Sequence, residues 1–222
     1  MGRKLRNAWA ARLLEGNQAA PAAAAGKGRA GPVRLAGASV TSAARTPAAN
    51  ASTAPIRILG LDTALRCTGF GVIDTDGQRF AAVDCGLIRI PASAALSECL
   101  RRLSGGVVEL LDRFAPDVIA IEGGFFFKNV KTATVLGMAR GAVVARLAER
   151  RLPVYEYAPR RVKQAVCGHG GAGKQQVALL VSQILGIPVT EIKDDATDAL
   201  AVAVCHAQTA YNVQGLLLPK PL

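Results

Sequence analysis

Four acidic residues stand where their carboxylates can do chemistry together: Asp62, Glu122, Asp195 and Asp198. Asp62 ends the short apolar run 58–61, and Glu122 ends a second apolar run, 118–121. Runs of this length between turn signals predict buried strands. A charge at the end of a buried strand is costly unless something pairs with it. We therefore interpret the four acids as members of one site.

Four carboxylates gathered at one point repel one another. Two unit charges 4 Å apart cost roughly 4 kcal/mol at an effective dielectric constant near 20. Hard divalent cations take oxygen ligands and relieve this repulsion. Two such ions about 3.5–4 Å apart clamp both the attacking and the leaving oxygen of a phosphodiester. The acids therefore predict phosphodiester hydrolysis with Mg²⁺ as cofactor, two ions per active site, and with Mn²⁺ as a substitute.

A structural explanation also fits part of this pattern. Asp195 and Asp198 lie at i and i+3, on one face of a predicted helix. Acids are common in the first turn of a helix because the helix dipole favours negative charge there. Asp62 and Glu122 are harder to explain in this way, since each ends an apolar strand. Ligand sites in open α/β sheets lie at the edge where parallel strands end.

Hydrophobic periodicity predicts the elements that must position the acids. Short apolar runs predict strands over 56–62, 68–75, 79–90, 117–122 and 153–157. Helical spacing predicts helices over 96–114, 130–151, 159–167, 174–185 and 192–211. Three strands and a helix, followed by alternating strand and helix, indicate an α/β fold with a mixed sheet and helices on both faces.

Composition divides the chain into three parts. Residues 1–55 are rich in Ala, Gly and Pro and carry eight Lys or Arg against one acid, so we expect a disordered basic tail. An Arg-rich start also resembles an organelle transit peptide. We expect one globular domain over 56–212 and a C-terminal tail over 213–222. The net charge of +11 favours a polyanionic partner such as nucleic acid, although a solvated basic tail gives the same number.

Cysteine usage and hydropathy bear on the compartment. The five cysteines show no paired spacing, which argues against a disulfide framework or a zinc site and favours a reducing cytosol. No apolar run is long enough to span a bilayer. We therefore expect a cytoplasmic protein without a membrane partner.

A series of segments, taken in chain order, resembles one known family. The segments are 58–62 with 68–73, 120–122, 128–129, 139–141, 154–159, 162–164, 173–174 and 195–201. Together they resemble the RuvC family of Holliday junction resolvases, the crossover junction endodeoxyribonucleases. The family often has Pro-Gly where this chain has Thr63-Ala64, and bulkier residues where it has Gly123-Gly124. Neither departure replaces a carboxylate.

The resemblance implies a fold and an activity. The fold is ribonuclease H-like, so 56–212 would be a nuclease domain. The activity is resolution of a four-way DNA junction by paired symmetric nicks, in homologous recombination and DNA repair. A homodimer and a branch-migration motor of the RuvA and RuvB type are the implied protein partners.

The resemblance also implies roles for individual residues. The metal-binding catalytic acids are Asp62, Glu122, Asp195 and Asp198. Lys163 and Lys174 match family lysines that contact DNA near the scissile phosphate. Phe125 matches the position that stacks on an unpaired base, and Arg140 is a further candidate contact to a phosphate.

Three other functions compete with this interpretation. Sugar kinases and actin-like ATPases also open with a Gly-x-Asp strand and a Thr-Gly turn, but they need two such domains, and this chain has room for one. A junction-binding protein without catalysis is a second alternative, which the presence of all four acids disfavours. A related nuclease directed at RNA is the third.

Overall fold

The structure is a computed structural model that describes residues 54–123, 129–188, 192, 194–211 and 218–222. Nearly all of the expected N-terminal tail lies outside the described residues, as does Phe125. The regular elements begin at Ile56 and end at Tyr211. The division into tail, domain and C-terminal tail stays a prediction.

A five-stranded mixed sheet forms the centre of the fold. Its strands are β1 (Ile56–Asp62), β2 (Cys67–Thr75), β3 (Phe80–Arg89), β4 (Val118–Glu122) and β5 (Val154–Tyr157). Their order across the sheet is β3-β2-β1-β4-β5. β1 pairs antiparallel with β2 and parallel with β4, and β4 pairs parallel with β5. β1 and β4 therefore end at the same edge of the sheet.

Helices cover both faces of this sheet. They are α1 (Leu96–Phe114), α2 (Val130–Glu149), α3 (Pro159–Cys167), α4 (Lys174–Leu185) and α5 (Asp194–Tyr211). One apolar core joins α1 and α2 to side chains such as Leu59 and Ile121, and a second joins α3, α4 and α5 to side chains such as Ile58 and Ala120. Alternate residues of each strand enter opposite cores, as the period of a strand requires. The predicted fold class is confirmed.

Most predicted element bounds agree with the structure to within two residues. β1, α1, α3 and α4 have the predicted bounds. The prediction that α2 runs to residue 151 is wrong, because Arg151 adopts the left-handed conformation (φ 54°), and the helix ends at Glu149. None of the described helices is long and apolar enough to cross a lipid bilayer.

α5 lies directly against β1 and β2 because these strands carry glycine where the helix crosses them. A Cβ atom built at Gly60 would overlap the carbonyl oxygen of Ala199, and one built at Gly69 would overlap that of Asp195. A Cβ at Gly71 would stand 2.7 Å from Leu200 Cδ2. The close approach thus brings the first turn of α5 onto the end of the β1–β2 pair.

His206, in the second half of α5, is buried among aromatic side chains of β5. Its Nδ1 hydrogen-bonds Tyr157 Oη at 2.8 Å, and its ring centroid lies 4.8 Å from that of Tyr155. Burial lowers the pKa of His206 from 6.5 to about 4. Burial raises the pKa of Tyr157 and of the neighbouring Cys205, so neither group titrates in acid. The histidine is a core residue.

The glycine contact predicts that Gly69→Ala destabilises the protein. A methyl group at this position must push the Asp195 carbonyl away, and overpacking of this kind costs about 3 kcal/mol in unfolding free energy. Gly105→Ala is the matched control, because a Cβ at that helical glycine meets nothing within 4 Å. The control should gain about 0.5–1 kcal/mol. Urea unfolding measures both changes, and a Gly69→Ala protein as stable as the wild type would contradict the packing.

Buried His206 predicts a loss of stability in acid. The unfolded chain binds a proton near pH 6.5 and the folded chain only near pH 4, so the unfolding free energy falls as the pH drops between these values. The full loss is about 3 kcal/mol. His206→Gln should remove this part of the pH dependence, whereas His169→Gln, at an exposed histidine, should keep it. Urea unfolding at pH 7 and pH 5 compares the variants, and parallel curves for all three proteins would refute the assignment.

Candidate metal centre

Two carboxyl groups meet where β1 and β4 end. Asp62 is the last residue of β1 and Glu122 the last of β4, and strand alternation turns both toward α5. The two side chains share a hydrogen bond, so one of the two carboxyl groups carries a proton there. The sheet alone accounts for this pair, because adjacent parallel strands must place their ends side by side.

α5 brings the other two acids to the same place. The backbone of Asp195 rests on Gly69, which pairs with Asp62 across the β1–β2 ladder. Asp198 follows one helical turn later, on the same face. The charges of Asp198 and Asp195 both act on Asp62. The structure therefore brings the four predicted acids together.

Burial and mutual repulsion dominate the electrostatics of this cluster. The pKa of Glu122 rises to about 8, first because of burial and then because of the charge of Asp62 and their shared hydrogen bond. Burial, and after it the charge of Asp198, raise the pKa of Asp62. A carboxyl pKa that rises in this way means that the ionised form is destabilised, and a bound cation would favour the ionised form again.

Two of the acids are engaged with neighbouring side chains. Asp195 Oδ2 accepts a hydrogen bond from Cys67 Sγ at 3.0 Å, and Asp198 Oδ2 lies 3.2 Å from Lys174 Nζ. Within the described part of the chain, no three His, Cys, Asp or Glu side chains form a preassembled ligand group. The donors are nevertheless carboxylate oxygens, the ligands that hard divalent cations prefer. Their chemistry fits such a cation.

Two of the acids, Glu122 and Asp198, line a small cleft that also contains lysines. The cleft has a volume of about 200 Å³ and is lined by Glu122, Pro159, Val162, Lys163, Lys174, Val177, Asp198 and Ala201. The pKa of Glu122 is raised chiefly by burial, and the charge of Lys163, on α3, opposes part of that rise. Lys174 is the first residue of α4 and forms the ion pair with Asp198. Both lysines predicted from the sequence therefore face the acids.

This arrangement has counterparts in known proteins. A model of the family Crossover junction endodeoxyribonuclease RuvC matches residues 58–206. The chain belongs to the RuvC family. It is 47% identical to crossover junction endodeoxyribonuclease RuvC of Pelotomaculum thermopropionicum over 150 residues, and this matched segment covers 68% of this chain and 92% of that protein. It is 44% identical over 159 residues to the RuvC of Chloroflexus aggregans, covering 72% and 97% of the two chains.

A solved RuvC structure has the same fold. The RuvC of T. thermophilus in complex with Holliday junction substrate superposes with a TM-score of 0.69 at 34% identity, covering 75% of this chain and 99% of that chain. The resemblance predicted from the sequence and the ribonuclease H-like fold class are both confirmed.

Arg140 binds protein groups beside the site of this RuvC chain. Its Nη1 donates to the carbonyl oxygen of Glu122 at 3.1 Å, and its Nη2 donates to Glu156 Oε2 at 2.6 Å. One guanidinium from α2 thus ties together the ends of β4 and β5. Contact between Arg140 and a DNA phosphate stays a prediction, and so does base stacking by Phe125, which lies outside the described residues.

Sequence reasoning did not identify the contact between Cys67 and Asp195. Cys85, Cys99 and Cys205 are buried, but Cys67 is half-buried and contacts Asp195. Burial, followed by this hydrogen bond, raises the pKa of the Cys67 thiol to about 11. The available signal was its position at the start of β2, directly after the turn that follows Asp62.

The Arg140 contacts predict a loss of stability in the protein without DNA. Arg140→Gln removes two charge-assisted hydrogen bonds and should lower the unfolding free energy by about 1–3 kcal/mol. Arg101→Gln is the control, because Arg101 is exposed and pairs with Glu98 at the surface, where such pairs contribute at most about 1 kcal/mol. Chemical unfolding measures both. A variant that keeps its stability but loses junction binding would identify Arg140 as a DNA contact instead.

Proposed function

We propose that this RuvC-family chain is a structure-specific DNA endonuclease. It resolves Holliday junctions by paired symmetric nicks, through metal-dependent hydrolysis of phosphodiester bonds, in homologous recombination and DNA repair. The observation that carries the proposal is the hydrogen-bonded carboxyl pair Asp62–Glu122, with the acidic first turn of α5 beside it. Such a cluster of partly buried acids next to an open cleft is suited to metal-assisted attack on a phosphate.

The residues that would hold the metal are Asp62, Glu122, Asp195 and Asp198. Mg²⁺ is the proposed ion, two per active site, with Mn²⁺ as a substitute, since the ligand atoms are carboxylate oxygens. When bound, Mg²⁺ lowers the pKa of coordinated water and stabilises charge on phosphate oxygens. Partial burial of the acids strengthens these electrostatic effects by lowering the local dielectric constant.

The two lysines offset the repulsion between the acids and a DNA backbone. A cluster of carboxylates repels the phosphate backbone, so a cleft lined by acids alone would exclude DNA. Lys163 and Lys174 place two positive charges in the same cleft. A lysine ammonium is a compact charge suited to a phosphate oxygen, and we propose that both lysines bind the backbone near the scissile phosphate.

Other side chains position the catalytic groups or the DNA. Arg140 donates a hydrogen bond to the backbone carbonyl oxygen of Glu122, and this contact fixes the position of the Glu122 backbone at the end of β4. Phe125 follows Glu122 closely in sequence, and we propose that it stacks on an unpaired base at the junction centre.

The symmetry of the reaction supports a homodimer. Two nicks at symmetric positions require two active sites related by a two-fold axis, and a closed two-fold dimer provides them. We propose the homodimer as the active form, a branch-migration motor of the RuvA and RuvB type as its partner, and the cytoplasm as its location.

A junction-nicking assay tests the function. A synthetic four-way junction labelled on each strand is incubated with the wild type in Mg²⁺ and in EDTA. The wild type should nick two opposed strands in the presence of Mg²⁺ but not in EDTA, and the nicked products should be ligatable. Asp62→Asn should reduce the rate by roughly 100-fold or more, because even changes behind a metal ligand commonly cost 10–100-fold. Equal cutting by the wild type and Asp62→Asn would reject the mechanism.

Asp112→Asn is the matched control for this assay. Asp112 is exposed on α1 and pairs with Arg150, so the same substitution there should leave nicking unchanged. Competition by linear DNA duplex and by duplex RNA separates the alternatives. Tight junction binding without nicking in either Mg²⁺ or Mn²⁺ would favour a binding protein, and preferential competition by RNA would favour an RNA-directed nuclease.

A further inference from the structure

The contact between Cys67 and Asp195 joins two parts of the chain that are distant in sequence. Cys67 begins β2 and Asp195 lies in the first turn of α5, 128 residues later. Cys67 Sγ lies 3.0 Å from Asp195 Oδ2, within reach of a sulfur hydrogen bond. A thiol carries its proton at neutral pH unless a nearby positive charge or metal stabilises the thiolate, so the sulfur is the donor.

Backbone contacts fix both ends of this hydrogen bond. Thr68 is fully buried, and its Oγ1 donates to the carbonyl oxygen of Ala64 at 2.6 Å and accepts from the Ala64 amide at 3.1 Å. This closes the turn that leads into β2 at Cys67. Gly69, two residues after Cys67 and on the same face of the strand, receives the Asp195 backbone. The sulfur and the aspartate are therefore held in register by neighbours on either side.

The charge state of the donor matters for a metal ligand. Asp198 is paired with Lys174, a positive charge that opposes a cation at the same carboxylate. A thiol is neutral, so it orients Asp195 without reducing the negative charge that attracts the cation. A single hydrogen bond also engages one of the two carboxylate oxygens. Partners of metal ligands act in this way, by fixing the orientation of the ligand.

We propose that Cys67 is a positioning residue that orients the Asp195 carboxylate for metal binding. The inference rests on the proposed function, since it assigns Asp195 to the metal site. Cys67 does not touch the reacting atoms. It limits the rotation of the Asp195 side chain, which would otherwise turn away from the charges of Asp62 and Asp198.

Substitution by Ala and by Ser tests the hydrogen bond. The two side chains differ only in a hydroxyl group, so Cys67→Ala removes the donor and Cys67→Ser restores one. Mn²⁺ binding to the DNA-free protein, followed by the paramagnetic signal of the free ion, should weaken about 10-fold in Cys67→Ala. It should return to within about 2-fold of the wild type in Cys67→Ser, since a hydroxyl is at least as good a donor as a thiol.

Nicking kinetics give a second readout. The Mg²⁺ concentration for half-maximal nicking should rise about 10-fold in Cys67→Ala, with the rate at saturating Mg²⁺ and metal-free junction binding near wild type. Cys167→Ala is the control, because Cys167 is the other half-buried cysteine and lies on α3. If Cys67→Ala fails to fold, Cys67→Val replaces it, since a β-branched side chain suits a strand and also lacks a donor.

The outcomes separate this inference from the proposed function. Wild-type metal affinity in Cys67→Ala would overturn the inference alone. Equal weakening in Cys67→Ala and Cys67→Ser would also overturn it, because the cause would then be packing of the sulfur rather than its hydrogen bond. A wild-type protein that neither binds Mn²⁺ nor nicks junctions would instead reject the proposed function.

Discussion

The structure depends on the direct contact of α5 with β1 and β2. Helices usually stand off a sheet by the thickness of intervening side chains, but here Gly60, Gly69 and Gly71 remove those side chains from the strand. The facing residues of the helix are also small, and Ala199 and Ala203 are completely buried. This close packing places the first turn of α5 directly beside the end of β1. Without this approach the acids of the helix and those of the sheet would lie too far apart to act as one site.

This packing gathers charge that the fold must then tolerate. Burial first, and then repulsion between the acids, raise the pKa of Glu122 and of Asp62. Neighbouring groups moderate the repulsion without abolishing it. Asp62 and Glu122 share a hydrogen bond, Lys174 pairs with Asp198, and Cys67 donates to Asp195. The acids can thus lie side by side in the folded structure while keeping oxygen ligands of the kind that divalent cations prefer.

Much of the fold was predictable from the sequence because its signals are local. Pro159 opens α3, Pro116 follows the end of α1, and apolar runs of strand length mark β1 and β4. The acids at the strand ends were also predictable, since adjacent parallel strands must bring their ends to one edge of the sheet. The exact end of α2 was not, because Arg150 and Arg151 are good helix formers and Pro153 marks the end of a helix only to within a few residues.

The partners of the site residues were beyond prediction for a different reason. The resemblance implied Arg140 as a candidate contact to a phosphate, but it gave no sign that the guanidinium also binds the Glu122 carbonyl oxygen and Glu156. Cys67 resembled any other isolated thiol until α5 was placed beside it. Both contacts join elements that are far apart in the chain, and periodicity carries no information about such pairs.

The order of the elements along the chain has a consequence for biosynthesis. β1 and β4 leave the ribosome well before α5, the last of the described helices, which supplies half of the acids. At typical translation speeds the delay between Glu122 and Asp198 is on the order of ten seconds. During that interval the nascent chain holds an incomplete centre. An enzyme that cuts DNA is therefore switched on late in its own synthesis, when α5 docks.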